Sequence, residues 1–377
     1  MFSLLFVGGV AFAPSVHHQP VRALARPLRM SVEESRGGGI AKLGSAALLG
    51  GVTVASLAKG APSARMIGSV FAGTTACVAP GLFDAHLAVS YGYGASLVWQ
   101  SVLFARHATR TPTQLLLIAY TLYGLKVCAF QLARDMQPAY VAKALAESRE
   151  RSPRGLKAAR APLVLGIASL LSTFAFPLHA AARAPGAIGV GIGALVALGG
   201  LLVQTVADVQ KFLHKRREGA DSLCRSGLWQ WSRHPNYLGE IYFQGGVAIS
   251  GLCGAWAVRS LATALLASLA PSAFVAIMLG ATTRLEEKQL QSYGDEGLYR
   301  QWVMATPRLF FSFKRRRINA AGDAKGDTAA EEVLRREEQD LLGSGITNIV
   351  AVTGAAGVST GILGTIGWWA MMVLPGL

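Results

Sequence analysis

Residues 227–240 read GLWQWSRHPNYLGE, with long apolar stretches on either side. The string holds two tryptophans, Arg233, His234, Asn236, Tyr237 and Glu240. Polar groups this dense beside apolar spans are costly to desolvate unless they are paired, so the string reads as a site. Pro235 suits the first turn of a helix, where its missing N–H would have had no partner. From Asn236 the chain runs on as an apolar helix. Arg233 and His234 then sit just ahead of a helix start, where free backbone N–H groups and the macrodipole favour an anion. A phosphate-bearing cofactor suits that place. The plainer reading is a basic juxtamembrane loop that only sets topology.

The rest of the chain has a membrane composition. It is 52% hydrophobic and 15% charged over 377 residues, against the roughly 25% charged residues of soluble domains. The net charge is +15. Its Lys and Arg fall between apolar spans, which argues for topology, anionic lipid and cofactor phosphates as their partners and against nucleic acid. Cys77, Cys128, Cys224 and Cys253 have no C-x-x-C spacing, so neither a metal site nor a disulfide framework is indicated.

Residues 1–30 read as a targeting leader. Phe2 to Phe12 is apolar but too short to span, and no Asp or Glu occurs before Glu33. VAFAP at Val10 to Pro14 resembles the cleavage site of proteins imported into secondary plastids. A plastid membrane is therefore the expected location, with the endoplasmic reticulum as the alternative. Residues 31–60 read as a linker with a weak apolar helix, 61–317 as the membrane core, 318–343 as a polar linker with a charged helix, and 344–377 as a terminal span.

Within the core, apolar spans are expected over Ile67–Phe83, Tyr91–Phe104, Pro112–Phe130, Ala161–Ala182, Ala184–Arg217, Asn236–Val258 and Ser260–Thr283. Tyr120, Tyr123 and Lys126, three apart, share roughly one helix face. Gln204, Asp208, Lys211 and Lys215 form a stripe at the end of another helix. Lys211 to Arg225 reads as a basic loop. No G-x-G-x-x-G loop follows a strand; the glycine runs at Gly92–Gly94 and Gly189–Gly193 lie in apolar spans and suit close helix packing. The expected fold is all-α: a polytopic membrane bundle of about seven to nine transmembrane helices with no soluble Rossmann domain.

The string GLWQWSRHPNYLGE resembles the signature of the DUF1295 and steroid 5-alpha-reductase C-terminal domain family. Membrane sterol reductases carry a similar RHPNY string. Isoprenylcysteine carboxyl methyltransferases and phospholipid methyltransferases share the shorter R-H-P-x-Y-x-G. The resemblance runs from about Thr111 to Phe311, with Tyr299, Trp302 and Pro307 filling the family's tail pattern.

The reductase resemblance implies NADPH as cofactor and a lipid with an activated C=C bond as substrate. It places the cofactor on Gln204, Asp208, Lys211, Lys215, Arg225, Arg233, His234, Asn236, Tyr237, Glu240, Arg284 and Lys288. Gln204 replaces the more familiar Asn. In steroid reductases a Tyr and an acid of the N-terminal half polarise the enone carbonyl; Tyr91, Tyr93, Tyr120 and Asp84 are the candidates here. The methyltransferase resemblance implies S-adenosylmethionine, held by Arg233, His234, Tyr237 and Glu286 or Glu287, with a prenyl, phospholipid or quinone acceptor. Asn236 and Glu240 favour the reductase group. A non-catalytic scaffold of the same fold is the third reading.

Overall fold

The computed structural model describes residues 62–137, 158–184, 188–219, 222–294 and 297–310. The expected leader, the expected linkers, the stretch 311–317 that ends the expected core and the expected terminal span lie outside these residues. The described residues are helical and contain no strand. In chain order the helices are α1 (Ala64–Val78), α2 (Ala85–Val89), α3 (Tyr91–Ala105), α4 (Thr111–Asp135), α5 (Ala161–Ser172), α6 (Ala175–Ala182), α7 (Ile188–Glu218), α8 (Pro235–Ala257), α9 (Leu261–Tyr293) and α10 (Gly297–Ala305).

Among the described residues, four helical stretches are long and apolar enough to cross a membrane: Thr111–Asp135, Ala158–Ala182, Ile188–Glu218 and Leu261–Tyr293. The sequence led us to expect more. Helices α1 and α3 have 15 residues each, about 22 Å at 1.5 Å per residue, short of a hydrocarbon core of about 30 Å. Helix α8 has 23 residues but carries Asn236, Glu240 and Gln244.

The expected span over Ala161–Ala182 is broken between α5 and α6. Pro177 explains the break: it has no N–H for the carbonyl of Thr173, and its ring crowds that carbonyl. Polar side chains satisfy carbonyls at the break. Gln100 donates Nε2–H to Leu171 O at 2.9 Å, and Tyr120 donates its hydroxyl to Phe174 O at 3.2 Å. The basic loop expected from Lys211 is also shorter than read, because α7 stays helical to Glu218.

Pro112 and Pro235 lie in the first turns of α4 and α8, as their missing N–H groups suggest. Ser260 starts α9 by accepting from Thr263 N. Between α8 and α9, Arg259 takes a left-handed conformation with φ 50°, and Ser260 N donates to Ala255 O at 3.2 Å. That geometry ends a helix tightly and is the one glycine adopts without steric cost.

In a bilayer, lipid tails solvate apolar side chains as well as other helices do, so close backbone approach and polar pairs carry much of the packing. Helices α7 and α8 run antiparallel along a glycine seam. A Cβ added at Gly200 would lie 2.4 Å from Phe243 N, and one at Gly246 would lie 2.3 Å from Ala197 N. Helix α4 lies parallel to α7: Pro112 meets Gly191 near one end, and Phe130 meets Phe212 near the other with ring centroids 6.0 Å apart. Helix α3 runs back along α4 through Gly94 and Gly124. An aromatic cluster fills the centre, with Tyr93 stacked on Phe274 at 5.0 Å and Tyr123 stacked on Phe243 at 4.2 Å. The last turns of α4 and α7 and the first turn of α8 therefore meet at one end of the bundle.

Candidate functional site

The glycine seam decides which polar residues meet. A Cβ on Gly239 would lie 2.5 Å from Gln204 N, so the two backbones touch at that level. Glu240 is thereby held beside Gln204, and one helical turn away Asn236 is held beside Asp208. Helix α4 closes the third side with Tyr123 and Lys126, also one turn apart.

The inner of these two layers is fully enclosed. Glu240 is 0% exposed, and Tyr123, Gln204 and Gln244 are buried with it. Glu240 Oε2 accepts from the Tyr123 hydroxyl at 2.6 Å and from Gln204 Nε2 at 2.8 Å. Its Oε1 accepts from Gln244 Nε2 at 2.8 Å. Gln244 also reaches the Tyr93 hydroxyl at 3.4 Å. The carboxylate thus has the donors that make its burial tolerable. The amide oxygens Gln204 Oε1 and Gln244 Oε1 are buried with no partner among the described residues. Unpaired buried acceptors are costly and suit a ligand that brings donors.

The outer layer keeps some contact with solvent. Lys126 Nζ pairs with Asp208 Oδ2 at 2.5 Å, with side chains 13% and 14% exposed. Asp208 Oδ1 accepts from Asn236 Nδ2 at 3.2 Å. Tyr237 is buried and its ring stacks on His234 at 5.7 Å. Arg284 lies half-buried within electrostatic reach of Tyr237.

The signature itself is a clamp. Arg233, 0% exposed, donates Nε–H to Glu286 Oε1 at 3.0 Å, and Nη1–H to Val303 O at 2.9 Å and to Thr306 O at 2.7 Å. His234 Nε2 pairs with the same Glu286 oxygen. The tail closes over both residues, with Arg233 N donating to Pro307 O and His234 N to Arg308 O. The anion held ahead of α8 is therefore the chain's own Glu286. Burial pushes the His234 pKa below its usual value, despite Glu286 pulling the other way. A neutral imidazole donating Nε2–H to Glu286 leaves Nδ1 as an acceptor, which is buried without a partner among the described residues. Ahead of the clamp, Gly227 has φ 63°. It frees Leu228 N to donate to Gln210 Oε1 at 2.9 Å, and Trp229 Nε1 donates to Ala207 O at 3.0 Å.

Beside the clamp a cleft opens between α7, α9 and α10. Lys211, Lys215, Lys288, Cys224, Trp229 and Gln289 line it. Lys211 Nζ lies 4.8 Å from the centre of the Trp229 ring, a cation–π contact. Gln289 Oε1 is buried without a partner among the described residues, and so is the hydroxyl of Tyr299 on α10. Burial pushes the Tyr299 phenol well above its usual range. Arg225 is exposed next to Cys224. Three lysines around one cleft make an electropositive pocket suited to an anion.

The residues expected to act together thus divide into three groups. Gln204, Asp208, Asn236 and Glu240 meet in the polar layers. Lys211, Lys215 and Lys288 share the cleft. Arg233 and His234 bind Glu286. Of the candidates from the N-terminal half, Tyr93 borders the inner layer through Gln244, and the other three lie elsewhere. Asp84 caps α2 through His86 N at 3.0 Å. Tyr91 donates to Asp135 at 2.7 Å, beside Gln131 and His86. Tyr120 is tied to the helix break. The tyrosine that reaches Glu240 is Tyr123, one step along the stripe that the spacing of α4 marks, and Gln244 lies four residues after Glu240 on the same face.

A family model described as a protein of unknown function, DUF1295, matches residues 83–306. That range holds both polar layers, the clamp through Thr306, and the cleft. No curated protein and no solved structure matches.

Proposed function

The chain belongs to the DUF1295 family, and on that premise we propose that it is a membrane-embedded, NADPH-dependent reductase of an activated C=C bond in a lipid. The observation that carries the reading is a stripe on α7. It runs from Gln204, in contact with Glu240, to Lys211 and Lys215 in the basic cleft. Gln204 and Lys215 are eleven positions apart on the helix, about 16 Å at 1.5 Å per residue, long enough to lie along an extended dinucleotide.

Both ends of the stripe fit that cofactor. The unpaired oxygens of Gln204 and Gln244 can accept from a carboxamide –NH2, and Asp208 and Asn236 can bond ribose hydroxyls. The three lysines of the cleft offer the charge that phosphate groups require. NADPH, when bound, supplies the hydride. Tyr123 has a proton to give to the carbon left electron-rich, and Glu240 holds that phenol in place. Enclosure of this layer keeps water from the reaction.

The sterol-reductase resemblance and the four apolar helices support a sterol, other isoprenoid or fatty enoyl chain as substrate. The acid-free, leader-like composition of residues 1–30 and the VAFAP string support a plastid membrane as location. The methyltransferase reading needs Glu286 or Glu287 for its cofactor; Glu286 is already engaged by Arg233 and His234, which leaves Glu287 for that role.

The test is isotopic. Detergent-purified protein is given NADPH deuterated at the nicotinamide C4, with a panel of enone and enoyl lipids. Deuterium in a saturated product is the expected result. Methyl transfer from labelled S-adenosylmethionine to a lipid, without any reduction, would replace the reading.

A further inference from the structure

Lys126 belongs to neither the cofactor set nor the tail, yet it makes a 2.5 Å ion pair with Asp208 Oδ2. It extends from α4, the helix that sends Tyr123 to Glu240, to α7, the helix that carries the stripe. Its Nζ also lies 5.5 Å from the Phe130 ring centre, so an aromatic face supports it as well as a carboxylate. Asp208 has its other oxygen on Asn236 at 3.2 Å. Asn236 Oδ1, in turn, is buried without a partner among the described residues. Lys126, Asp208 and Asn236 therefore form one chain across α4, α7 and α8, a single turn outside the Tyr123–Glu240 layer.

An ion pair this sheltered is held by geometry, and removing one partner leaves the other as an uncompensated charge. Without Lys126, Asp208 would keep only its hydrogen bond from Asn236 at contact distance, a sheltered carboxylate beside the path of an anionic ligand.

We infer that Lys126 is a positioning residue for the cofactor: it holds Asp208 aimed at the ribose hydroxyls, and so couples the Tyr123 helix to the cofactor-binding helices. The inference rests on the NADPH reading. Its chemistry is charge and orientation only; no bond is made or broken.

The test is NADPH binding by wild type, Lys126→Met and Lys126→Arg in detergent, read by titration and by ligand-induced thermal stabilisation. Lys126→Met is expected to raise the NADPH Kd about tenfold, the loss of one oriented charged contact. Lys126→Arg, which keeps the charge, should restore most of that affinity. A purely structural lysine would lower the melting temperature of the free protein and leave the Kd unchanged. Equal Kd values in wild type and Lys126→Met would overturn the inference while leaving the reductase reading intact. No NADPH binding by folded wild type would remove the reading and the inference together. If Lys126→Met does not fold, Lys126→Met/Asp208→Asn is compared with Asp208→Asn. Equal affinities are expected, because the lysine acts through Asp208; a further loss in the double variant contradicts the inference.

Discussion

Tyr123 donates its phenolic hydrogen to Glu240 at 2.6 Å, joining residues 117 positions apart in the chain. The contact ties the N-terminal part of the bundle to the glycine-packed α7–α8 hairpin. It also sets an acid beside a buried carboxylate whose amide neighbours have spare acceptors. Tyr123→Phe keeps the ring stacked on Phe243 and removes only the hydroxyl. Lipid reduction should fall by about 100-fold or more, the usual worth of a general acid. NADPH affinity should change little. An unchanged turnover rate in a folded Tyr123→Phe protein would remove this tyrosine from the chemistry.

The clamp predicts a stability effect. Arg233→Met leaves Glu286 buried with one cation fewer and two tail carbonyls without their donor. Breaking a buried pair by removing one partner costs about 3–5 kcal/mol. The melting temperature in detergent should drop sharply, and the tail from Gly297 to Phe310 should become sensitive to protease. Wild-type stability in this variant would contradict the clamp.

The seam predicts a steric effect. Gly246→Ala puts a methyl group 2.3 Å from Ala197 N, and backbone cannot yield as a flexible side chain can. Overpacking of this kind costs about 1–3 kcal/mol or more. Gly245→Ala, one residue earlier where a Cβ meets nothing within 4 Å, is the control and should be near neutral. Equal effects from the two would argue against the close α7–α8 approach.

The turn before α9 predicts a gain. Arg259 holds φ 50°, a left-handed geometry that costs a side-chain-bearing residue about 1–2 kcal/mol. Arg259→Gly should raise the melting temperature; a fall would contradict strain at this turn.

Titration predicts a direction. Burial pushes the His86 pKa below its ordinary 6.5, outweighing the nearby Asp135. The unfolded chain then takes up the proton first. The stability tied to His86 is complete above pH 6.5 and is lost as pH falls through the lower, folded value. His86→Gln keeps an acceptor for Gln131 without a site to protonate. Its melting temperature should fall less between pH 7 and pH 5 than that of wild type. Parallel curves would place the acid sensitivity elsewhere, with buried His234 the next group to examine.

Much of the site was legible because helix periodicity leaves a trace in the sequence. Gln204 and Asp208, and Asn236 and Glu240, are each four apart, and the structure pairs them across the hairpin. The start of α8 was legible from Pro235. Long-range partners were not. Nothing in the spacing indicates that Arg233 and His234 would be consumed by Glu286, 53 and 52 residues onward. Among the three tyrosines near the core, spacing alone could not rank Tyr123 over Tyr120, since both face inward and differ only in which helix stands opposite. The break at Thr173 was readable from Pro177, but apolar continuity masked it. The span count suffered from the reverse problem: α8 is rich in the polar residues that make the site, which lowers the signal by which membrane helices are recognised.

The most direct measurement is ligand-induced thermal stabilisation of the purified protein by NADPH, NADH and S-adenosylmethionine, on wild type and on Lys211→Gln/Lys215→Gln. A ligand that binds the native state raises its stability by mass action. The account predicts stabilisation by NADPH, less by NADH, none by S-adenosylmethionine, and loss of most of the NADPH effect in the double lysine variant. Stabilisation by S-adenosylmethionine alone would contradict the central claim. So would a folded wild type that responds to none of the three, which would leave the bundle as a scaffold.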